Sequence, residues 1–481
     1  MTLELDRRAD LWPDRTALID HTDDREWTYG ELEERIEATA GRLAAHDVVQ
    51  GDAVAVLWRN HPEFLALLFA ARRIGATLAP ISHRLPAETV TALRDRIDPA
   101  LTIVEDDFRE LIEGSAPEHV TTVAAFADRE PAPVDRVRSD TPPLYLHTGG
   151  TTGVPKVVVI SDRQLEWNCI TEAAAWGLGK DTVSPILLPM YHTGGWNLLT
   201  LPTLYGGGTV VLQRAFDPDG VLELIETRGA TQVFGVAAMF QAMASADRFE
   251  ATDFGTVEWF MSGGGPTPTD VIEAYTERGE TFVQGYGLTE GGPNNLYVDP
   301  TRRDATEKPD SVGRPFPDCE IRIIDQSGDP IGSGDTGELE VRGPITADGY
   351  LVTDDGTFDG DWVSTGDLAR RDSAGDVFIV GRTDYMFVSG GENVHPEVIE
   401  RRIEQQPGVE AVGVIGVPHD RWGTVPKAIV VGNVDPAAVL EEARDRLADH
   451  EVPKEVTVVE ELPMSGHGKL DRAALERRFG E

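Results

Sequence analysis

Cysteine is almost absent from this 481-residue chain: Cys169 and Cys319 are the whole set. Two thiols are too few for a disulfide framework or for a cysteine-rich metal site. Lysine is nearly as scarce, limited to Lys156, Lys180, Lys308, Lys427, Lys454 and Lys469. Positive charge as a whole is short, with 43 Lys and Arg against 83 Asp and Glu and a formal net charge of −40. Neutralising nucleic-acid phosphates takes a basic face, so nucleic acid is excluded as a partner. Long apolar runs are missing as well. The most apolar stretch, Phe64–Ala71, falls far short of the roughly 20 residues that span a bilayer. It reads as a buried helix, and no membrane span is expected. Neither terminus carries a secretory, lipidation or peroxisomal pattern, which sets the expectation of a cytoplasmic protein.

What is abundant is acid. A surface this negative repels itself in dilute buffer, whereas at 1 M salt the Debye length shrinks to about 3 Å and the repulsion is screened. The composition leads to the expectation of a salt-rich cytosol, as in an extreme halophile. A merely acidic surface on an ordinary protein is the alternative.

Length alone implies two or more domains. Up to about Gly285 strand-like runs alternate with helical patterns. "ELEERIEATAGRLAAH" sets Leu32, Ile36 and Leu43 on one helical face, "AVAVLW" reads as a strand, and "HPEFLALLFAARRIG" returns to helix. "PLYLH", "KVVVI", "SPILLP" and "GTVVLQ" are β-rich. This alternation predicts an α/β fold with mostly parallel sheets covered by helices. After Val312 short strands with Gly and Asp turns take over, and beyond Arg382 helices and strands alternate again. The expected organisation is a large N-terminal domain, 1–383, of βα-layered sheets with a small β subdomain at about 312–383. A small α+β C-terminal domain, 384–481, follows.

The chemistry starts at "HTGGTTGVPKV", residues 147–157. Gly149, Gly150 and Gly153 allow backbone angles and close approach that other residues forbid, and Thr148, Thr151 and Thr152 add hydroxyls beside N–H donors. The common nucleotide loop wants Lys directly after its last glycine; here Val154 and Pro155 precede Lys156. Alone, the stretch can also be read as a mobile glycine turn, with the phosphate cradle the leading reading. "LLPMYHTGGW" sets His192 among apolar neighbours, and "SGGGP" carries Gly263, Gly264 and Gly265. "QGYGLTE" places Tyr286 between glycines ahead of Thr289 and Glu290. An aromatic there can stack on a purine, and a carboxylate beside a hydroxyl suits Mg²⁺ on phosphates. "STGD" ends in Asp367, able to accept from two ribose hydroxyls; "GRTDYMFVSGGENVHPEVIE" and "SGHGK" close the series.

Together, in this order and spacing, these stretches resemble the adenylate-forming (AMP-binding) enzymes over the whole chain, in the acyl- and aryl-CoA synthetase branch that includes 4-chlorobenzoate:CoA ligase. The resemblance implies a carboxylic acid–CoA ligase using ATP, Mg²⁺ and coenzyme A. The carboxylate attacks the α-phosphate of ATP to give acyl-AMP and pyrophosphate, and the CoA thiol then displaces AMP. It implies a phosphate grip by Thr148, Gly149, Gly150, Thr151, Thr152, Gly153 and Lys156, with Thr289 at the α-phosphate and Glu290 and Thr152 on the metal. Adenine would lie against Gly263–Gly265, Tyr286 and Gly287, and the ribose against Asp367 and Arg382. Lys469 would bridge the carboxylate and α-phosphate as charge develops. A mobile C-terminal domain would rotate about Asp384 between the two steps, bringing first Lys469 and then Gly390 and Gly391 to the site.

His192 matches a residue that gates the acyl pocket, with Thr193, Gly194, Trp196, Gly291, Gly292 and Pro293 as its walls; Trp196 equally suits the core. Arg84 and Trp422 match residues near CoA. The chain departs from the family at Gly149, usually Ser, and at Tyr385, where a charged residue is frequent. A free-standing enzyme that loads a carrier protein or activates an amino acid is the alternative, although Thr193 stands where an amino-acid site usually has Asp. A catalytically dead nucleotide sensor is a third reading. The acid and the oligomeric state are left open by the sequence.

Overall fold

The computed structural model describes residues 5–113, 119–137, 139–148, 154–302, 306–352, 356–390, 392–419, 421–464 and 470–480. It divides into two compact units. The first holds most of the chain up to Ile321 together with Val341–Ser364; the second holds Arg322–Glu340 and Thr365–Glu481. This partition differs from a boundary drawn at residue 384. The reason lies in Val377–Arg382, which the second unit's own helix holds: Arg401 on Pro396–Glu404 donates to the carbonyls of Ile379 at 2.8 Å and Val380 at 3.0 Å.

Three sheets build the first unit. The largest runs in the order Gly349–Tyr350, Val157–Ile160, Leu144–His147, Thr77–Pro80, Ala53–Leu57, Leu101–Val104, Val120–Thr122. From Leu144–His147 to Val120–Thr122 all neighbours are parallel. Every residue of Ala53–Leu57 is buried, as expected of a central parallel strand covered on both faces. Its flanking helices have clear local causes. Thr28 and Glu31 form a reciprocal capping box at the start of Tyr29–Ala45. Pro62 opens Pro62–Ile74, and Gly75, at φ +74°, closes it in the left-handed region.

A second sheet runs Gln232–Gly235, Trp259–Ser262, Phe282–Leu288, Gly292–Tyr297, Arg314–Pro315, parallel across its first three strands and antiparallel beyond. Under it lies an aromatic cluster in which the rings of Tyr275 and Phe282 sit 4.9–5.5 Å from that of Phe240. At roughly 1.5–3 kcal/mol for each fully buried large apolar side chain, such a cluster fixes where the strand ends emerge. A four-stranded sheet, Arg25–Thr28, Thr16–Asp20, Thr209–Leu212, Val183–Ile186, completes the unit.

In the second unit Gly423–Gly432 is central, pairing antiparallel with Val409–His419 and parallel with Glu455–Val459. Helices Pro396–Glu404, Pro436–Arg446 and Arg472–Phe479 accompany this sheet. Both units are therefore mixed α/β, as the alternation predicts. Among the described residues no helix is long and apolar enough to cross a membrane. Cys169 and Cys319 are both buried and free.

Candidate active site

The glycine-rich stretch is a hairpin loop. Leu144–His147 and Val157–Ile160 pair antiparallel, and Thr148 N–H donates to the Lys156 carbonyl at 2.9 Å, closing the base. Gly149, Gly150, Thr151, Thr152 and Gly153 lie outside the described residues. Lys156 is fixed from beyond the loop: its Nζ stands 4.7 Å from the centre of the Tyr350 ring, a cation–π contact. Tyr350 reaches this place because Gly349–Tyr350 adds to the sheet edge opposite Val158–Val159. Its hydroxyl donates to Glu290 Oε1 at 2.8 Å. Tyr350 therefore links two residues that the sequence singles out separately, and no local pattern marks it.

Glu290 sits with Thr289 in the turn between Phe282–Leu288 and Gly292–Tyr297, both half-buried. The turn is held by Ala347 N–H donating to the Glu290 carbonyl at 2.9 Å. Glycine is obligatory on both sides of it. A Cβ on Gly287 would stand 1.8 Å from the Pro293 carbonyl oxygen, and one on Gly292, already at φ +75°, 2.3 Å from that of Ile345. A half-buried carboxylate next to a hydroxyl is a donor set that fits a hard divalent cation shared with phosphate oxygens. Among the described residues no three His, Cys, Asp or Glu gather into a metal cluster.

Tyr286 is half-buried on the same strand, which runs parallel to Trp259–Ser262 with Ser262 opposite Gln284. The glycine turn Gly263–Gly265 therefore leaves its strand beside Gly285; a Cβ on Gly263 would lie 3.3 Å from the Gly285 carbonyl oxygen. The turn is pinned by Thr267, whose hydroxyl donates to Ser262 Oγ at 2.7 Å and whose N–H donates to Gln284 Oε1 at 3.2 Å.

His192 follows Tyr191 in a cluster of rings. Tyr191 packs edge-on against His192 with centroids 4.6 Å apart, and His147 lies parallel to Tyr191 at 6.2 Å. Ser82 N–H donates to His147 Nε2 at 3.0 Å, so this ring nitrogen carries no proton. Arg84, two residues on, is exposed. Thr193 and Gly194 are half-buried, and Gly291, Gly292 and Pro293 are buried. Trp196 takes the core placement: it is fully buried, donates to the Met190 carbonyl at 2.6 Å and meets Phe64 edge-on.

Next to these residues runs a polar string that sequence reading misses. Asn294 Nδ2 donates to Asn168 Oδ1 and to the Asn197 carbonyl, both at 3.2 Å, and Asn197 Nδ2 donates to Thr193 Oγ1 at 3.1 Å. One helical turn beyond Asn168, Glu172 is fully buried and neither carboxylate oxygen has a hydrogen-bond partner among the described residues. Burial pushes its carboxyl well above the usual range, and the nearby Asn168 amide offsets only part of this. A Gln, Asn, Glu series spaced by four on Asp162–Trp176 was the available signal.

In the second unit Asp367 and Arg382 face each other across a hairpin, with Arg382 Nη1 3.0 Å from Asp367 Oδ1. Arg382 Nη2 reaches Asp384 Oδ2 at 3.2 Å. Gly366, at φ +68°, leaves room for the guanidinium; a Cβ there would meet Nη2 at 2.8 Å. Elsewhere in the unit Gly390 N–H donates to the Trp422 carbonyl at 3.0 Å, and a Cβ on Gly390 would lie 2.7 Å from the exposed Trp422 ring. Gly391 and Lys469 lie outside the described residues.

The glycine-rich hairpin, the carboxylate turn and the glycine turn are each present in the first unit, and the Asp367–Arg382 hairpin in the second. The chain belongs to the AMP-binding enzymes: residues 5–351 match the family's AMP-binding enzyme model and 398–469 its AMP-binding enzyme C-terminal domain. It is 37% identical to a feruloyl-CoA synthase of Amycolatopsis sp over 98% of both chains. Identity to an indoleacetate–CoA ligase of Aromatoleum aromaticum is 34%, over 97% of this chain and 95% of that one. The fold superposes with a TM-score of 0.91 on o-succinylbenzoate CoA synthetase from Bacillus subtilis in complex with its acyl-adenylate intermediate. Identity there is 27%, covering 99% of this chain and 98% of that one.

Proposed function

We propose that this protein is an AMP-forming acid–CoA ligase whose acid is an aryl carboxylate. One observation carries the catalytic reading. Lys156, Tyr350 and Glu290 form one connected set around the base of the glycine-rich loop, which supports a cation and a metal-competent carboxylate held beside bound phosphates. The aryl character is supported by the relatives, which are named for feruloyl and indoleacetate groups.

In this reading the carboxylate oxygen attacks the α-phosphorus of ATP and pyrophosphate leaves; the CoA thiol then attacks the acyl carbon and AMP leaves. The protein's task is positioning and charge stabilisation. Thr148 and Lys156, with loop residues 149–153, hold the β- and γ-phosphates. Thr289 meets the α-phosphate, Tyr286, Gly287 and Gly263–Gly265 take adenine, and Asp367 with Arg382 the ribose. Glu290, with Thr152, would hold Mg²⁺, which neutralises phosphate charge when bound. His192 gates the acyl pocket, with Thr193, Gly194 and Gly291–Pro293 around it, and Lys469 meets the developing charge. Asp384 serves as the pivot about which the C-terminal part turns between steps. Gly390 and Gly391 would line the path of the CoA thiol, as the family's glycine stretch does, and Arg84 and Trp422 would meet CoA, as at the positions they resemble in 4-chlorobenzoate:CoA ligase. The net charge of −40 supports a salt-rich cytoplasm as the working medium.

The deciding experiment follows AMP formation with MgATP and CoA in molar KCl. The acids are ferulate, indole-3-acetate, 2-succinylbenzoate and short aliphatic carboxylates. The aryl acids should turn over fastest. Preference for the aliphatic acids would remove the aryl assignment, and no turnover with any acid would remove the ligase reading.

A further inference from the structure

Thr193 leads into the short helix Gly194–Asn197, and its carbonyl accepts from Trp196 N–H at 3.1 Å and from Asn197 N–H at 2.8 Å. Its hydroxyl is engaged as an acceptor, because Asn197 Nδ2 donates to Thr193 Oγ1 at 3.1 Å. That bond ends a directed series. Asn294 Nδ2 donates to Asn168 Oδ1 and to the Asn197 carbonyl, and Asn168 Nδ2 donates to the same carbonyl. The three asparagines are buried, while Thr193 is half-buried. Asn294 directly follows Pro293 on Gly292–Tyr297. The series therefore ties the turn after His192 to the strand after Glu290, the two stretches assigned above to the acyl pocket.

A threonine hydroxyl offers one proton and two lone pairs. With Asn197 spending an N–H on Oγ1, the Thr193 proton points away from that amide and has no acceptor among the described residues. On a half-buried side chain it is open to a bound molecule. Amides that donate in sequence polarise one another, which strengthens the donor at their end. The chemistry of the series also limits what it can meet. It consists of one hydroxyl and carboxamides, and no cation belongs to it. A second carboxylate on the acid would leave water here without a positive partner, at considerable cost. A phenolic or ether oxygen needs only a donor.

We infer that Thr193 is a specificity-determining residue whose hydroxyl donates to a neutral polar substituent on the ring of the acid, and that Asn197 is the positioning residue that aims it. The substrate class narrows to hydroxy- or alkoxy-aryl carboxylates, at the expense of aryl dicarboxylates. The inference rests on the ligase reading above and its acyl pocket.

The test compares acids that differ in one substituent. Cinnamate and phenylacetate are each used plain, with a ring hydroxyl at the ortho, meta or para position, and with a ring carboxylate in its place. The quantity read is kcat/KM for AMP formation with MgATP and CoA, in the full-length parent and in Thr193→Val, Thr193→Ser and Asn197→Asp, with melting temperature as the control for folding. At the ring position that reaches Thr193, the parent should prefer the hydroxy acid to the plain one about 3- to 10-fold, the range of one neutral hydrogen bond. The dicarboxylate should be the poorest of the three. Thr193→Val should bring the hydroxy-to-plain ratio close to one, and Thr193→Ser should keep it. Asn197→Asp removes the N–H donor at constant shape and turns the Thr193 proton inward, so the ratio should fall with Thr193 intact. No hydroxyl preference at any position, a preference for the dicarboxylates, or a ratio that survives Thr193→Val would overturn the inference, as would its loss in Thr193→Ser. A ratio unchanged in a folded Asn197→Asp would remove the role of Asn197, and if that variant does not fold the Thr193 pair still decides. A parent that turns over no acid would overturn the ligase reading. The Kd values of plain and hydroxy acids, measured by calorimetry, would then decide this inference by the same ratio.

Discussion

The hydroxyl of Tyr350 donates to Glu290 across 2.8 Å while its ring face carries the ammonium of Lys156. One side chain thus orients a carboxylate and a cation that lie 134 positions apart in the chain, and its two functions can be separated by substitution. Tyr350→Phe removes a hydrogen bond to a charged group, worth about 1.5–3 kcal/mol, and should slow adenylation roughly tenfold or more while raising the Mg²⁺ concentration needed for half activity. Tyr350→Leu should add a rise in KM for ATP through the loss of the Lys156 contact. Equal kinetics for the Phe and Leu variants would show that the ring does nothing for Lys156.

Lys469 gives a second, step-specific prediction. Replacing it by Ala should cost adenylation on the order of 10²–10³-fold, the scale of losing a main charge-stabilising donor. Thioester formation from ready-made acyl-adenylate should largely survive. Parallel loss in both steps would refute its assignment to the first step alone.

The third prediction concerns pH. Burial raises the Glu172 carboxyl in the folded protein, so the folded state keeps its proton where the unfolded chain has lost it. Its share of stability is therefore present below the unfolded carboxylate value and is lost as pH rises. Glu172→Gln cannot ionise and should melt at a higher temperature than the parent at pH 8, with the gap closing towards pH 4. Half-buried His61 and His83 act oppositely: partial burial, with nearby arginines, lowers them to about 3 and about 4. Their share is present above the ordinary histidine value and fades as pH falls from roughly 6.5 to 4. Thermal melts from pH 4 to 9 should show a maximum between these slopes, and a flat profile would contradict both.

The fourth concerns salt. If the acidic surface is adapted to concentrated salt, activity and melting temperature should climb between 0.1 and about 2 M KCl, most steeply where the Debye length falls from about 10 to 3 Å. Full activity in dilute buffer with no gain from KCl would rule this out.

Much of the architecture is readable from the chain because its cues are local. Ala53–Leu57 and Val157–Ile160 announce buried strands, and the caps at Thr28 and Gly75 mark helix ends. The glycines at 287 and 292 are readable too, since the turn holding Glu290 tolerates nothing larger. Tyr350 is not readable, because its place depends on a two-residue strand added to Val158–Val159, far away in sequence. Glu172 hides for another reason: polar residues spaced by four look like a solvated helix face until a neighbouring strand and helix cover them. Trp196 stood at an even choice between pocket and core because one side chain's direction in a glycine-flanked turn has no periodicity to reveal it.

The paucity of cysteine has a practical consequence. Cys319 is pushed up to about 12 and Cys169 well above the ordinary thiol range, both by burial, so at neutral pH neither offers a reactive thiolate. The wild-type protein should therefore react only slowly with maleimide while folded. A single cysteine introduced on the surface of each unit would take a spectroscopic label with little background, and the distance between two such labels could be followed through turnover in dilute and in concentrated salt alike.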